Sequence, residues 1–262
     1  MKSGGREEAE TPTRNSQAEW PVLFYVIQDS NTETCGSVED GEVTVGSSQR
    51  FPMDSSSQLV LLTGFGPFRQ YVTNPSWTAV QELKKLGLGE NVRLEAVELP
   101  VHYRRTQELL ARMWETQQPQ LAVHVGVATA SKLIILEQLA KNNGYKDCDV
   151  SGVCPVGNCC VEGGPEKIES LINMRAICKK LSGTDIGIIY SKDAGRYLCD
   201  YAYYLSLHHG NRKAAFIHIP HLNDRITAEI IGKTLQLIVQ EMLGQLESVL
   251  HCERAVLGKS VR

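Results

Sequence analysis

Short apolar runs recur along the chain from residue 58 onward, and each ends at Gly, Pro or a polar residue. The runs lie at 60–62, 121–125, 133–136, 186–190 and 214–219. Their brevity and their β-branched content are typical of strands buried on both faces of a sheet. Val92, Leu94 and Ala96 alternate with polar residues, which predicts a further strand with one wetter face.

Helical patterns lie between these runs. Asn74 is placed to cap a helix that has Pro75 at its first position and Gly87 as its stop. Apolar spacing predicts four more helices, around 109–114, from Pro165 through 178, around 198–205 and over about 226–250. Because strands alternate with helices, we predict an α/β fold, a three-layer αβα sandwich around a largely parallel, mixed sheet.

Composition divides the chain into three regions. Residues 1–57 are rich in Glu, Ser, Thr, Gly and Asn without a sustained period, which predicts a flexible extension. An apolar island at 20–27 interrupts this extension. The sequence is compatible with three roles for the island: an added strand at a sheet edge, a docking site for a partner, or no function. Residues 58–250 are the predicted folded domain, and residues 251–262 form a polar tail.

Charge and hydropathy exclude two classes of partner. The formal net charge is -3 at pH 7 and the pI is near 6.2. The chain therefore has no overall positive potential that would attract nucleic acid or anionic lipid. No apolar run reaches the length of about 18 residues that a membrane-spanning helix needs. No basic stretch precedes the island at 20–27 as a signal peptide requires, so a cytoplasmic location is expected.

The eight cysteines lie inside apolar runs or beside one another, which favours reduced thiols over a secreted disulfide framework. Four of them crowd one segment: Cys148, Cys154, Cys159 and Cys160. Four thiolates can hold zinc, but no CxxC pair occurs among these four. We therefore expect oxidation-prone loop thiols here, with a zinc-held interaction module as a distant alternative.

Two aromatic rings lie on the loop that follows the first predicted strand. Phe65 and Phe68 stand in the string TGFGPF, at a strand end where open α/β sheets place ligand sites. The string lacks the third glycine of a dinucleotide fingerprint, so phosphate binding is not expected. The two rings either wall a small apolar slot or plug the end of the sheet.

Three polar residues stand at chain positions where an α/β sheet gathers its functional edge. Cys199 opens a helix, where unpaired N–H groups favour a thiolate. His218 and Glu137 each stand near the end of an apolar strand, where a buried polar group needs a partner. Each has a structural explanation on its own: a small buried cysteine, a core histidine, or a carboxylate turned to water. Together they supply a nucleophile, a base and an orienting group for acyl transfer.

Seven strings in order resemble the pyroglutamyl-peptidase I family over about residues 58–250. They are GFGPF at 64–68, NPSW at 74–77, VHVGV at 123–127, LE at 136–137, CCVE at 159–162, DAGRYLCD at 193–200 and FIHIP at 216–220. The resemblance implies a compact αβα cysteine omega-peptidase that removes an N-terminal pyroglutamyl residue from peptides. It implies no metal and no cofactor.

The resemblance also implies roles for single residues. The nucleophile falls on Cys199, the base on His218 and the acidic member on Glu137. The aromatic pair that brackets the pyrrolidone ring falls on Phe65 and Phe68. The implied partners are peptides with N-terminal pyroglutamate, whereas the oligomeric state stays unknown.

Three departures from the family pattern keep a second hypothesis open. Arg69 stands where the family has Gly, and residues 128–132 and 138–143 differ from the expected loops. The extension at 1–57 also lies outside the pattern. These differences suggest a paralogue, and they leave two functions: the peptidase, or a catalytically silent relative that binds pyroglutamyl-capped peptides or a protein partner.

Overall fold

The computed structural model describes residues 57–259, with side chains through residue 249. The predicted extension and its island at 20–27 therefore lie almost wholly outside the described residues. Within them, eight strands form two sheets. They are β1 (Gln58–Phe65), β2 (Val92–Leu99), β3 (Leu121–Val127), β4 (Ile134–Glu137), β5 (Leu139–Lys141), β6 (Lys167–Glu169), β7 (Ile188–Ser191) and β8 (Ala214–Ile219).

The larger sheet has six strands in the order β2-β1-β3-β8-β4-β7. Strands β2, β1, β3 and β8 run parallel to their neighbours, whereas β4 pairs with β8 in the antiparallel direction and β7 lies parallel to β4. Strands β5 and β6 form a separate antiparallel pair. The predicted sheet, largely parallel but mixed, is confirmed.

Helices cover both faces of the large sheet. They are α1 (Pro75–Leu86), α2 (Tyr103–Gln117), α3 (Met174–Lys180), α4 (Leu198–His209) and α5 (Ala228–Lys259). One apolar core joins the sheet to α1, α3 and α5, and a second core on the opposite face joins it to α2 and α4. The chain therefore forms the predicted αβα sandwich. Among the helices described, none is both long and apolar enough to cross a membrane.

Two helix boundaries differ from the sequence prediction. The helix predicted from Pro165 is wrong at its start, because Ile168 pairs with Ala140 in the β5–β6 ladder. Asn173 then accepts a hydrogen bond from the Ala176 N–H and caps α3 at residue 174. The last helix continues to Lys259, so most of the predicted polar tail at 251–262 is helical backbone. By contrast, α1 has the predicted Asn74 cap, Pro75 start and Gly87 stop.

Candidate active site

A cavity of about 460 Å³ opens where β1 and β3 end and α4 begins. We call it the Cys199 cavity. Its walls come from the loops after β1, β3 and β5 and from the start of α4. The lining includes Phe65, Phe68, Arg69, Thr129, Cys148 and Cys199. The structure thus brings the predicted nucleophile and both predicted aromatic residues to one cavity.

Cys199 is the second residue of α4, and no side chain caps this helix at Tyr197. The unpaired N–H groups of the first turn and the helix dipole therefore both lie beside the sulfur. Gly126 on β3 leaves room for it, since a Cβ there would lie 2.9 Å from Cys199 Sγ and 2.8 Å from Phe216 Cζ. Gly126 was not among the predicted site residues, although a glycine inside a buried strand run is a signal of close backbone approach.

His218 and Glu137 form a buried pair. The distance from His218 Nδ1 to Glu137 Oε1 is 2.8 Å, and Glu137 is 1% exposed. Because a carboxylate only accepts, the imidazole Nδ1–H donates, and the second ring nitrogen is left for the thiol side. The other carboxylate oxygen, Glu137 Oε2, has no hydrogen-bond partner among the described residues. The predicted orienting group therefore holds the predicted base.

The pKa of His218 reflects its surroundings. Burial by itself lowers the pKa, but the adjacent Cys199 side chain and the Glu137 carboxylate outweigh burial and raise it to about 10. His218 is therefore an imidazolium at neutral pH. A protonated imidazole beside a sulfur is the arrangement that favours a thiolate nucleophile.

The route by which Glu137 reaches this site differs from the one that the sequence suggested. Glu137 ends β4, which runs antiparallel to β8, so it does not lie at a common edge of parallel strand ends. Instead Ile135 pairs with His218 and Glu137 pairs with Phe216, which places the carboxylate beside the ring on the face covered by α4. The Tyr203 hydroxyl of α4 donates to the Glu137 carbonyl oxygen at 2.8 Å and fixes that strand end.

The two predicted aromatic residues have different surroundings. Phe65 is 4% exposed and packs against Phe216, with ring centroids 6.4 Å apart. Phe68 is half-buried and packs against Tyr197, with centroids 5.6 Å apart. Both rings line the Cys199 cavity, so they are arranged as walls of the predicted slot. Their contact with a substrate stays a prediction.

Asp200, next to the predicted nucleophile, connects α4 to the segment that follows Glu137. Its carboxylate accepts from the Tyr145 hydroxyl at 3.0 Å, from Arg196 Nη1 at 3.2 Å and from the Lys141 backbone N–H. Burial raises the pKa of Asp200 to about 7, although Arg196 and these hydrogen bonds oppose the rise. Asp200 was not among the predicted site residues, although it lies beside Cys199 in the string DAGRYLCD.

The cysteine-rich loop corrects the expectation of reduced thiols. Cys148 and Cys154 form a disulfide that closes a seven-residue turn, and their Cα atoms lie 4.3 Å apart. Because two of the four crowded cysteines are joined to each other, they are not free to act as zinc thiolates. Cys159 and Cys160 keep free thiols. Among the described residues, no group of three or more His, Cys, Asp or Glu side chains is placed to hold a metal ion.

Asp149 anchors this loop to the start of α2. Its carboxylate accepts from the backbone N–H of Tyr103 at 3.0 Å and from the N–H groups of Ser151 and Val153. Cys148 and Asp149 both line the Cys199 cavity. The disulfide loop is therefore a wall of the candidate site.

His124 is the core residue that its mid-strand position predicts. The ring is fully buried, and its Nδ1 lies 2.7 Å from the Thr63 hydroxyl oxygen. Burial lowers the pKa of His124 to about 3, so the ring is neutral. It takes no part in the constellation around Cys199.

A family model described as pyroglutamyl peptidase matches residues 58–250, which include every residue of this site. The chain belongs to the pyroglutamyl peptidase family. Pyroglutamyl-peptidase 1 of Rattus norvegicus is 47% identical over 197 residues, which make up 74% of this chain and 94% of that protein. The pyroglutamyl-peptidase 1-like protein of Homo sapiens is 48% identical over 172 residues, or 65% of this chain and 88% of that protein.

Solved structures of the pyroglutamyl peptidase family agree with this assignment. Pyrrolidone carboxyl peptidase from Thermococcus litoralis is 28% identical, with a TM-score of 0.65. The match covers 73% of this chain and 96% of that one. The predicted family, the fold and the class of enzyme, a cysteine peptidase, are thus confirmed.

The three departures from the pyroglutamyl peptidase pattern lie at different distances from the chemistry. Arg69 and Thr129 line the Cys199 cavity. No residue of 138–143 does so; Asn142 in that segment instead holds the backbone N–H groups of Cys160 and Val161. Of the described residues that depart from the pattern, the first two are therefore the ones placed to change selectivity.

Proposed function

We propose that the chain removes N-terminal pyroglutamyl residues from peptides by a Cys199–His218–Glu137 mechanism through a thioacyl-enzyme. One observation carries the proposal: Cys199 lines the same cavity as Phe65 and Phe68, its side chain is adjacent to His218, and His218 is hydrogen-bonded to Glu137 at 2.8 Å. Family membership supports the reaction class.

Substrate selection follows from the apolar walls. The pyroglutamyl ring is a small, flat, uncharged lactam, and the slot between Phe65 and Phe68 offers it ring faces at little cost in desolvation. A free N-terminal ammonium would lose part of its hydration against the apolar ring faces of the same slot, which disfavours unblocked peptides. Discrimination thus comes chiefly from desolvation.

In the acylation half, the Cys199 thiolate attacks the carbonyl carbon of the scissile peptide bond, outside the lactam ring, and the C=O electron pair moves onto oxygen. The uncapped first turn of α4 offers N–H groups to the oxyanion. As the tetrahedral intermediate collapses, the C–N bond breaks and the His218 imidazolium gives its proton to the leaving amine. The shortened peptide departs, and a thioester remains on Cys199.

In the deacylation half, neutral His218 takes a proton from water, whose oxygen attacks the thioester carbon. The C–S bond breaks, pyroglutamate leaves, and the thiolate–imidazolium pair is restored. Glu137 holds the ring in one tautomer and compensates its charge in both halves.

The test uses a pyroglutamyl aminocoumarin amide under reducing conditions. Wild-type protein releases the fluorophore, whereas Cys199→Ala, checked for folding by circular dichroism, does not. Cys159→Ala is a matched control, because that thiol is also free but lies outside the cavity lining. A folded wild-type protein that bound the substrate without releasing fluorophore would instead support the catalytically silent alternative.

We propose the cytoplasm as the compartment, because the mechanism requires a reduced Cys199 thiol and Cys159, Cys160, Cys178 and Cys199 are free thiols in the structure. Immunofluorescence of the full chain, tagged at the carboxyl end, tests this. Diffuse cytoplasmic signal is expected, and signal confined to secretory organelles would contradict the proposal.

A further inference from the structure

Arg69 is an exposed residue that lines the Cys199 cavity. Its guanidinium carbon lies 4.8 Å from the centroid of the Phe68 ring, the outer wall of the slot. The backbone at Arg69 is left-handed, with φ of 52°, and Arg69 is among the residues that line the cavity. The exposed cation is thereby stacked on the ring that is proposed to contact the substrate.

The charge of Arg69 is uncompensated locally. No carboxylate of residues 57–249 lies within 4.0 Å of its guanidinium. Asp149 lines the same cavity, but its carboxylate already accepts three backbone N–H groups. Asp147, the other acid of the lining, is exposed. The pKa of the Tyr197 hydroxyl responds to charges of both signs in the cavity lining. Burial and the carboxylates of Asp149 and Asp147 raise it, whereas the Arg69 guanidinium lowers it.

The chemistry of the substrate determines which of its groups the Arg69 guanidinium can bind. A pyroglutamyl peptide has no N-terminal ammonium, and its first ring is neutral. The first charge after the scissile bond is therefore the side chain of the second residue or, in a dipeptide, the terminal carboxylate. With the lactam ring between Phe65 and Phe68, either group would lie outside the slot, in the part of the cavity that Arg69 lines.

We propose that Arg69 is a specificity-determining residue that recognises a carboxylate on the second residue of the substrate. The inference rests on the proposed function and names the substrate class of that site: pyroglutamyl peptides with an acidic second residue, or pyroglutamyl dipeptides with a free carboxyl terminus. Attraction at a partly solvated rim accelerates the preferred substrate about two- to fivefold, and salt screens it.

The experiment compares kcat/KM for three peptides of equal size: pyroglutamyl-Glu-amide, pyroglutamyl-Gln-amide and pyroglutamyl-Gln with a free carboxyl terminus. Product amine is followed by chromatography at low and high salt. The side-chain and terminal carboxylates are thus separate arms. We expect one or both acids to exceed the neutral amide about two- to fivefold at low salt. The preference should vanish in Arg69→Gln and survive in Arg69→Lys.

Arg112→Gln is the matched control, because Arg112 is an exposed arginine on α2 outside the cavity lining and its loss changes the net charge equally. Equal kcat/KM for acidic and neutral peptides, or a preference that persists in Arg69→Gln, overturns the inference while hydrolysis of pyroglutamyl-Gln-amide leaves the proposed function standing. If the wild-type protein cleaves none of the three peptides, the proposed function fails and the inference fails with it.

Discussion

The chemistry of the site depends on how three side chains share charge and protons. The imidazole of His218 lies between a sulfur and a carboxylate, and these two partners raise its pKa against the opposing effect of burial. Glu137 has its Oε1 on the ring and its Oε2 unpaired among the described residues, so its negative charge acts mainly on His218. An imidazolium held in this way is ready to protonate a leaving amine at neutral pH.

Glu137→Gln keeps the size of the side chain and removes its charge. Because His218 must be protonated for acylation, activity is lost as the pH rises through the folded-state pKa, near 10 in the wild type. Without the carboxylate that pKa falls, so the alkaline limb of kcat/KM moves to lower pH, and kcat drops about 100-fold or more. A pH profile with exposed Glu90→Gln as control measures this. An unmoved alkaline limb would remove the carboxylate from the mechanism.

Phe68→Ala tests the slot. The ring is half-buried, so its removal costs less stability than truncation of the core residue Phe65, which is expected to cost about 3–5 kcal/mol. We expect KM for the pyroglutamyl amide to rise about tenfold, equivalent to the 1–3 kcal/mol that apolar contacts give in discrimination, with a smaller change in kcat. Phe68→Leu should recover part of the loss. Unchanged KM in both variants would mean that the rings only plug the sheet end.

Helix α4 carries Cys199 and contacts the strand that carries Glu137. Its second residue is the proposed nucleophile, Cys199. Its third, Asp200, holds the segment after Glu137 through Tyr145 and Lys141, and Tyr203 in the second turn donates to the Glu137 carbonyl oxygen. One rigid element therefore sets the distance between the sulfur and the carboxylate strand. Strand β3 meets α4 at Gly126, where the backbone lies close to the sulfur.

Gly126→Ala tests this close approach. The added Cβ would lie under 3.0 Å from Cys199 Sγ and Phe216, so α4 or the ring must shift. We expect kcat to fall about 10- to 100-fold, since a displacement near 1 Å has that cost, and overpacking to destabilise the fold by about 1–3 kcal/mol. Gly244→Ala in α5 is the control, because a Cβ there meets nothing within 4 Å. A Gly126→Ala enzyme with wild-type kcat would show that the sulfur needs no such space.

The Cys148–Cys154 disulfide crosslinks a loop that lines the Cys199 cavity. Closing a seven-residue loop stabilises the folded state by about 2 kcal/mol in the chain-entropy model. Cys154→Ser should therefore lower Tm by about 4–8 °C without reductant. With reductant present, the difference from wild type should disappear. Cys159→Ser, which removes a free thiol, is the control. Equal melting of the wild type and Cys154→Ser without reductant would mean that the crosslink does not form in solution.

At the scale of the whole molecule, much could be predicted from the sequence. The apolar runs and the Asn74–Pro75 helix start predicted the sandwich because burial on both faces of a sheet leaves continuous apolar strings. Cys199 could be singled out as the candidate nucleophile because it opens a helix, where unpaired N–H groups favour a thiolate. His218 was visible because a histidine in an otherwise apolar strand needs a partner.

Other features depend on contacts between distant parts of the chain, and these could not be predicted. The antiparallel direction of β4 places Glu137 beside Phe216, and strand direction leaves no mark on a four-residue apolar run. The helix expected from Pro165 is a strand because β5 offers it a ladder, which overrides local propensity. The disulfide was missed because its formation depends on how one loop folds back on itself.

The most direct test of the mechanism is to find the acyl group. Protein mixed with a pyroglutamyl amide and quenched in acid is digested, and its peptides are examined by mass spectrometry. The mechanism predicts one pyroglutamyl group in thioester linkage on Cys199, removed by hydroxylamine and absent from Cys199→Ala. Substrate turnover with an acyl group on another residue, or turnover that persists in Cys199→Ala, would contradict it.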